Sequence, residues 1–399
     1  MNKIDTITKK KIIYVLSSLF ILFLLITACN KEQEGENQKG NQPVTLTKAQ
    51  LDSIKKAEIA KYDIFPKINY KKVYLEDGKA AAKVFAKYKD PKSKFDRMKI
   101  LATLNRKEAR FFYKGDTIVV PDTIIEDLRA YSIFPQYFAG AKDIKKFIVV
   151  TARFQAYACY EYGKLIRFAA TNTGKERTQT YPGRYALEWK EAIHRSSIDS
   201  DWVMPYNYNF QAEAGNAFHQ FVMPGRPVSH SCCRQFMDDA RWLFYWGDGA
   251  KFDKDKKKIP LSGTPVIILD YFDFARKKGG PWLDLKSNKD SIIDLPDKPM
   301  EYEEALIPWC QIPDMSKGSI RNRARYIHAE DTLRKRGVIR PGVELIVTKN
   351  FNQLRREKLK KGILPTSKSI IRQNNAIIQK VKAEIQMRNK KGKNKPSRN

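Results

Sequence analysis

Apolar and polar positions at the start of the folded part of the chain recur at helical spacing. Residues 47–50 have the form of a capping box, and apolar residues follow it at helical intervals. Two further helices are predicted, one over residues 80–88, ended by Asp90-Pro91, and one starting at Ser93. The pattern therefore predicts a small, mostly helical region over residues 47–143.

From residue 146 onward the apolar residues fall into short β-branched and aromatic runs. These runs predict strands at 147–151, 154–160, 165–170 and 184–189, with a hairpin turn at 161–164. A single helix is predicted after them, because Phe236, Met237, Ala240, Leu243 and Phe244 share one helical face. Many short strands with few helices predict a mainly β domain over residues 144–270, a sandwich or a partly closed barrel.

The last third of the chain has two parts. In residues 271–350, apolar residues are scattered among Pro- and Gly-rich loops. This pattern predicts an α+β extension packed on the β domain. Residues 351–399 hold fifteen Lys or Arg and two acidic residues, and an apolar stripe from Ile370 to Ile385. This pattern predicts a basic amphipathic helix followed by a disordered tail from Asn389.

The first residues have the features of an export signal. Three lysines at 9–11 precede an apolar run at 12–26, which is short for a membrane span. The run ends Leu-Ile-Thr-Ala-Cys29, which resembles the lipobox of bacterial lipoproteins. The resemblance implies a signal peptide over residues 1–28 and a lipidated Cys29, whereas an uncleaved anchor or an ordinary signal peptide is the alternative. Residues 29–46 have little to bury and are expected to be a flexible tether.

Export of the protein would change which binding partners its positive charge indicates. The 399 residues carry a net charge of +31, concentrated toward the C-terminus. A basic tail commonly binds nucleic acid, but an exported protein without a base-stacking motif is not expected to do so. Anionic envelope polymers or a membrane surface fit better as partners, and a helix packed on its own domain is the alternative. The expected location is the cell envelope, lipid-anchored on the periplasmic side of the inner or outer membrane.

Candidate chemistry is concentrated within sixteen residues. His219, His230, Cys232 and Arg234 lie in this stretch, next to Cys233. A thiol is nucleophilic as the thiolate, and a neighbouring imidazole can accept its proton and return it to a leaving amine. Together with an arginine that can bind a carboxylate, these groups favour an acyl-transfer site. Adjacent cysteines are poor zinc ligands, so zinc is a minor alternative and no cofactor or metal is expected.

The motif Ser229-His-Ser-Cys-Cys-Arg234 is similar to the Ser-His-Gly-Cys-x-Arg signature of the L,D-transpeptidase (YkuD-type) catalytic domain. Thr173-Gly-Lys175, the Thr-Tyr-Pro-Gly-Arg-Tyr stretch at 180–185 and Gly-Thr-Pro-Val at 263–266 resemble other parts of that family. The resemblance implies a YkuD-like fold and an enzyme of peptidoglycan remodelling. Its substrates would be peptidoglycan stem peptides.

The chemistry and the resemblance give the same roles. Cys232 would be the nucleophile that forms a thioester with a tetrapeptide stem. His219 would be the general base and then acid, oriented by a backbone carbonyl, and His230 would complete the site. The backbone amides of Cys232 and Cys233 would form an oxyanion hole, because the motif is expected just before or at a helix start.

Several other side chains are candidates for support. Arg234 would either hold a substrate carboxylate or fix the loop, and Ser229 and Ser231 would assist by hydrogen bonding. Tyr206 and Tyr208 alternate with their neighbours and are taken as groove residues that support the substrate, although such a row is also typical of a core. His194 and His328 are expected to be ordinary surface or loop residues.

The sequence departs from the family pattern in three places. Ser231 replaces a glycine, so either its φ angle is ordinary or the loop is strained. The interval between His219 and His230 is several residues shorter than in the family pattern. Gln220 occupies a position where the family commonly has glycine. A catalytically silent peptidoglycan-binding lipoprotein is therefore an alternative, as is an L,D-carboxypeptidase with water as acceptor.

Two features outside the motif complete the sequence picture. Residues 101–122 weakly resemble the second half of a LysM glycan-binding module, although an unrelated packing domain is favoured. Cys159 and Cys310 would be able to pair in an oxidising compartment, but Cys159 is expected to be a buried strand residue. Oxidation of Cys233 would silence an enzyme that depends on Cys232.

Overall fold

The computed structural model describes residues 47–276, 278–290, 293–320, 322–347, 351–361 and 368–393. The predicted signal peptide, Cys29 and the tether lie outside these residues. Helices are α1 (Lys48–Tyr62), α2 (Gly78–Ala86), α3 (Met98–Leu104), α4 (Met237–Trp246), α5 (Asp314–Lys317), α6 (Arg323–Ile327), α7 (Ala329–Lys335), α8 (Phe351–Lys360) and α9 (Lys368–Lys393). Among the described helices, none has the length and apolar character needed to cross a membrane.

Eleven strands are present in the described part of the chain. They are β1 (Tyr70–Tyr74), β2 (Thr117–Pro121), β3 (Phe147–Thr151), β4 (Ala156–Glu161), β5 (Lys164–Ala170), β6 (Gly183–Ala186), β7 (Lys190–Arg195), β8 (Val203–Gln211), β9 (Asn216–Gln220), β10 (Cys233–Gln235) and β11 (Pro265–Ile268). The strands form an antiparallel pair β1-β2, a five-stranded sheet β5-β4-β3-β11-β6 and a four-stranded sheet β10-β9-β8-β7. The fold is mainly β in this region, with helices at both ends, as the sequence predicted.

The region before the β domain is built around the antiparallel pair β1-β2, with α2 and α3 between the two strands in sequence. At the start of α1, the Gln50 amide N–H donates to Thr47 Oγ1 and the Thr47 amide donates to Gln50 Oε1. The predicted capping box is therefore formed. The Asp77 carboxylate caps α2 by accepting from the Ala80 amide.

Strand β3 is buried on both faces, which explains why its sequence is a continuous apolar run. Its side chains alternate, so Phe147 and Val149 join one apolar cluster while Ile148 and Val150 join another. The first cluster also contains Ile100 of α3. The second lies between the two sheets and includes residues of both. A sheet that is buried on both faces has no polar face to present.

The hairpin between β4 and β5 has a simple physical basis. Tyr162 and Gly163 both have positive φ, +46° and +75°, as a two-residue turn of the type favoured in hairpins requires. A Cβ at Gly163 would lie 2.7 Å from the carbonyl oxygen of Phe138. Only glycine fits this position, and the turn lies where the sequence predicted it.

The basic helix α9 packs on the β domain. Val381 is fully buried with Tyr206 and Ala240, and Tyr206 Oη donates to Glu384 Oε2 over 2.6 Å. The guanidinium of Arg388 lies 3.8 Å from the ring centroid of Tyr245. The helix extends to Lys393, so residues 389–393, expected to be disordered, are helical. The later part of its apolar stripe, Val381 and Ile385, therefore packs against the β domain, whereas Ile370 and Ile371 are exposed.

Candidate active site

Strand register separates the two adjacent cysteines of the motif. β10 runs parallel to β9, with Cys233 opposite Phe218 and Arg234 opposite His219. Successive side chains of a strand point to opposite faces. Cys233 is accordingly buried in the cluster between the sheets, while Cys232 and Arg234 lie on the face of His219. The motif therefore ends in a strand, not at a helix start.

This register corrects the predicted electrostatics of the nucleophile. Helix α4 begins at Met237, so no helix N-terminus adjoins Cys232. Stabilisation of a thiolate or an oxyanion by that helix end is not available. An oxyanion hole built from the backbone amides of Cys232 and Cys233 stays a prediction.

A cavity of about 280 Å³ opens in front of this face. The predicted site residues that line it are Ser229, His230, Ser231, Cys232, His219 and Arg234. Apolar side chains, among them Trp189, Ile198, Trp202, Met204 and Phe351, form much of the remaining wall. The residues of the motif thus line one concave, largely apolar space, which is the usual character of a small-molecule or peptide site.

His219 is held as a neutral base. Its ring is buried, and Nδ1 lies 2.9 Å from the carbonyl oxygen of Gln220. Because a carbonyl only accepts, Nδ1 carries the proton and Nε2 is left as the acceptor. Burial lowers the pKa of His219 to about 3, and the positive charge of Arg234 adds to the effect. The imidazole is therefore neutral near pH 7.

Cys232 rests as a thiol. Its side chain is half-buried, with Sγ 3.8 Å from the carbonyl oxygen of Gly215. Burial raises the pKa of the thiol to about 11, against the opposing effects of the Ala217 backbone N–H and Arg234. The resting site is thus a neutral thiol with a neutral imidazole. At neutral pH a thiolate at Cys232 therefore requires transfer of the proton to another group.

His230 is fixed by contacts on two sides. Its Nε2 lies 3.3 Å from Lys175 Nζ, and its ring centroid lies 4.8 Å from that of Trp202. Burial lowers the pKa of His230 to about 4, with smaller contributions from Lys175 and Arg234. The ammonium of Lys175 donates to Nε2, so the ring of His230 is held in place as part of the cavity wall. Lys175 belongs to the Thr-Gly-Lys stretch of the sequence.

Ser229 and Arg234 both brace the motif. Ser229 Oγ donates to the Cys232 carbonyl oxygen over 2.5 Å. Arg234 Nη1 donates to the carbonyl of Val222 over 3.0 Å, and the guanidinium lies 4.6 Å from the ring centroid of Phe221. Arg234 therefore fixes the segment after β9 and also faces the cavity, so both roles considered for it are compatible with its position.

Ser231 adopts the backbone conformation that the family glycine would suit. Its φ is +74°, in the left-handed region where side chains other than Asn and Asp are uncommon. Its Oγ donates to Asn216 Oδ1, and its carbonyl oxygen accepts from Thr180 Oγ1 over 2.9 Å. The loop keeps the glycine geometry, and the serine hydroxyl is tied to the start of β9.

Two substitutions at Ser231 should differ in their effect on stability. Ser231→Val places a β-branched side chain at positive φ and removes the hydroxyl, so we expect it to lower the free energy of unfolding by about 1–3 kcal/mol. Ser231→Gly removes the strain along with the hydrogen bond, so we expect a change within about 1 kcal/mol. Urea unfolding of both variants checks this. Equal losses would contradict a strained Ser231.

The structure corrects the assignment of Tyr206 and Tyr208. Both are buried and neither lines the cavity, so their predicted role in the substrate groove is wrong. Tyr208 lies in the apolar cluster between the sheets, and Tyr206, with φ of +53°, faces α9. The other face of the same strand supplies Asn207 and Asn209 to the cavity. The alternating row is therefore part of the core, the other interpretation that its pattern allowed.

Sequence reasoning also missed the contribution of residues that follow the β domain. Gln311, Pro313, Ser316, Ile346, Val347 and Phe351 all line the cavity. His194, expected to be an ordinary surface residue, lines it as well, with Nδ1 2.6 Å from Glu191 Oε2. None of these positions has a motif, and long-range packing alone brings them to the site. Cys159 is buried and unpaired, as favoured, and Cys310 is also free.

Comparison with known proteins identifies the domain. The family model of the L,D-transpeptidase catalytic domain, YkuD, matches residues 145–268, which contain β3 to β11 and the whole motif. No curated protein matches the chain significantly.

Solved structures give matches of low identity. An L,D-transpeptidase from Stackebrandtia nassauensis is 22% identical over 32% of this chain and 57% of its own, with a TM-score of 0.26. An L,D-transpeptidase from Mycobacterium smegmatis is 15% identical over 31% and 58%, with a TM-score of 0.26. L,D-transpeptidase 3 from Mycobacterium tuberculosis, in complex with a faropenem-derived adduct, is 17% identical over 32% and 60%, with a TM-score of 0.25.

These matches span little more than half of the structures concerned, so the assignment depends on the family model and on the motif. Within residues 145–268, the chain contains a YkuD-type L,D-transpeptidase catalytic domain.

Proposed function

We propose that the protein is a peptidoglycan L,D-transpeptidase that uses Cys232 as its nucleophile. The observation that carries the proposal is the placement of Cys232 and His219 on one sheet face, lining one cavity, within the matched domain. The donor would be a tetrapeptide stem and the acceptor a side-chain amine of a second stem. No metal or cofactor is required by this chemistry.

The first half-reaction follows from the neutral resting pair. The Cys232 thiol transfers its proton to His219 Nε2 as Sγ attacks the carbonyl carbon before the terminal D-amino acid. The tetrahedral oxyanion then collapses, the C–N bond breaks, and the imidazolium returns the proton to the leaving amine. The products are a thioester on Cys232 and a free D-amino acid.

The second half-reaction reverses these roles. The acceptor amine attacks the thioester carbonyl and gives a proton to His219. The C–S bond breaks, and Cys232 leaves as the thiol after taking the proton back. A new amide joins the two stems. Because burial holds His219 neutral and its Nδ1–H is bound to the Gln220 carbonyl, the same nitrogen can serve in both steps.

Two alternatives share the same site. With water as acceptor the protein would be an L,D-carboxypeptidase. A silent, peptidoglycan-binding lipoprotein would have the cavity without turnover, and Ser231 in place of glycine is the feature that favours it. The strained but intact loop geometry at Ser231 supports the active enzyme.

Turnover of defined muropeptides distinguishes the three functions. Purified protein is incubated with disaccharide tetrapeptide and the products are separated by liquid chromatography and mass spectrometry. A cross-linked dimer that has lost one D-amino acid supports the transpeptidase, and a tripeptide alone supports the carboxypeptidase. Unchanged substrate that nevertheless binds would support the silent lipoprotein.

We also propose an envelope location with a lipid anchor at Cys29. The support is the lipobox-like sequence and the basic, apolar segment before it. Exposed Lys380, Lys382 and Lys390 on α9 would meet anionic envelope polymers, while Val381 faces the domain. Metabolic labelling with a fatty acid tests the anchor, and Cys29→Ala should abolish the label.

A further inference from the structure

The cavity-facing side of β8 carries polar atoms with no partner. Asn207 and Asn209 are each only 1% exposed, and both line the cavity. Within the part of the chain that the structure describes, Asn207 Oδ1, Asn207 Nδ2 and Asn209 Oδ1 have no hydrogen-bond partner. Burial of unpaired polar atoms is unfavourable, and native structures rarely accumulate them on one strand face.

The strand register places these amides beside the reacting groups. Asn209 is opposite Ala217, which is next to Cys232 on the far side of β9. In this antiparallel register, the residues that follow the pair Tyr208–Phe218 are Asn207 on β8 and His219 on β9. Side chains on directly opposite residues have Cβ atoms about 4.5–5.5 Å apart. On this sheet face Asn207 therefore lies one strand away from His219, and Asn209 lies two strands away from Cys232, with Ala217 between them.

The chemistry of the unpaired atoms limits what can satisfy them. Asn207 offers a donor and an acceptor together, so a carboxylate, which only accepts, would leave Oδ1 unpaired. A peptide group supplies both an N–H and a carbonyl. The terminal torsion of asparagine is broad, so a small rotation can turn the amide toward a ligand. No Asp or Glu is among the described residues that line the cavity, so nothing acidic competes for the donors.

We propose that Asn207 and Asn209 form a subsite that binds a backbone amide of the donor peptide, beside the bond that Cys232 attacks. Asn207 accepts from an amide N–H of the donor and donates to a carbonyl of the same extended segment. Asn209 Oδ1 accepts from a second N–H. This inference rests on the proposed function and specifies the group by which the donor is recognised. A ligand without the N–H leaves the buried acceptors unpaired and is discriminated against.

Binding measured without turnover tests the subsite. Cys232→Ala is titrated with a soluble tetrapeptide stem by isothermal calorimetry, and the same titration is repeated with Asn207→Leu added. We expect the dissociation constant to rise tenfold or more. Asn69→Leu, the same change at an exposed position outside the cavity, should leave it unaltered. Equal binding with and without Asn207→Leu would overturn the subsite while leaving the proposed function in place.

The first readout of a second measurement does not depend on the folding of Asn207→Leu. A series of stem analogues, each with one amide N–H replaced by an ester oxygen, is titrated into Cys232→Ala alone. At least one analogue should bind tenfold or more weakly, and this difference should shrink when Asn207→Leu is present. Uniform binding of all analogues overturns the subsite. Absence of both stem binding and wild-type turnover overturns the proposed function, and the subsite with it.

Discussion

Replacing His219 with glutamine should slow the acylation of Cys232 at pH 7 by about 10²–10⁴-fold, the usual contribution of a positioned general base. The resting thiol has a pKa near 11 and so is almost entirely protonated at neutral pH. His219 Nε2 is an unprotonated acceptor on the same sheet face as Cys232, and the substitution removes it. The rate of carbapenem acylation, followed by absorbance, measures the loss.

The pH profile separates a lost base from a damaged fold. In the His219→Gln variant only the preformed thiolate reacts, so its rate should rise about tenfold per pH unit until the pH approaches 11. The wild type should depend less steeply on pH, since neutral His219 persists down to a pH near its own pKa of about 3. His328→Gln, the same change at an exposed site, should match the wild type. A parallel pH profile for both proteins would contradict the role of His219.

Replacing Arg355 with glutamine should reduce stem turnover tenfold or more while leaving the thiol reactive. Arg355 Nη2 lies 2.5 Å from Asp199 Oδ1 and 2.8 Å from Asp201 Oδ2, which ties α8 to the loop between β7 and β8. The substitution removes the guanidinium that neutralises two mostly buried carboxylates, and the loss of this charge is strongly unfavourable for the folded structure. Asn352 also joins α8 to this loop, through bonds to Ser197 and Ser200, so we expect the start of α8 to loosen rather than to separate fully.

A looser attachment of α8 matters because this helix begins with Phe351. The ring centroid of Phe351 lies 5.8 Å from that of Trp202 and 6.5 Å from that of His230. These three rings form one wall of the cavity, so the loss should appear mainly as a weaker apparent affinity for the stem. The muropeptide assay and alkylation of Cys232 by iodoacetamide are run side by side. Arg356→Gln, at the exposed neighbouring position, is the control, and an equal loss in both variants would contradict the predicted role of Arg355.

The parts of the fold that depend on local patterns were predictable. The capping box at residues 47–50, the strand at 147–151 and the hairpin turn at Tyr162-Gly163 follow from side-chain spacing and from backbone preferences. The site motif was predictable because its residues lie close together in sequence. For Ser231 the sequence left two alternatives, an ordinary φ angle or a strained loop. A glycine-to-serine change does not reveal whether the backbone conformation is retained.

The remaining errors come from interactions distant in sequence. Alternation on β8 identified two faces, but only the packing of α9 on Tyr206 and of the second sheet on Tyr208 decides which face is buried. The helix predicted directly after Cys232 starts later, because Arg234 and its neighbours pair with β9. Phe351 lies more than a hundred residues from the motif and carries no local pattern that connects it to a cavity.

The most direct test of the account is the intact mass of the reduced, folded protein after incubation with meropenem, wild type beside Cys232→Ala. The account predicts a single covalent adduct on the wild type and none on the variant. That result would establish Cys232 as an activated nucleophile. An adduct on both proteins would place the reactive group elsewhere, and no adduct on either would contradict the enzyme and favour a module that only binds peptidoglycan.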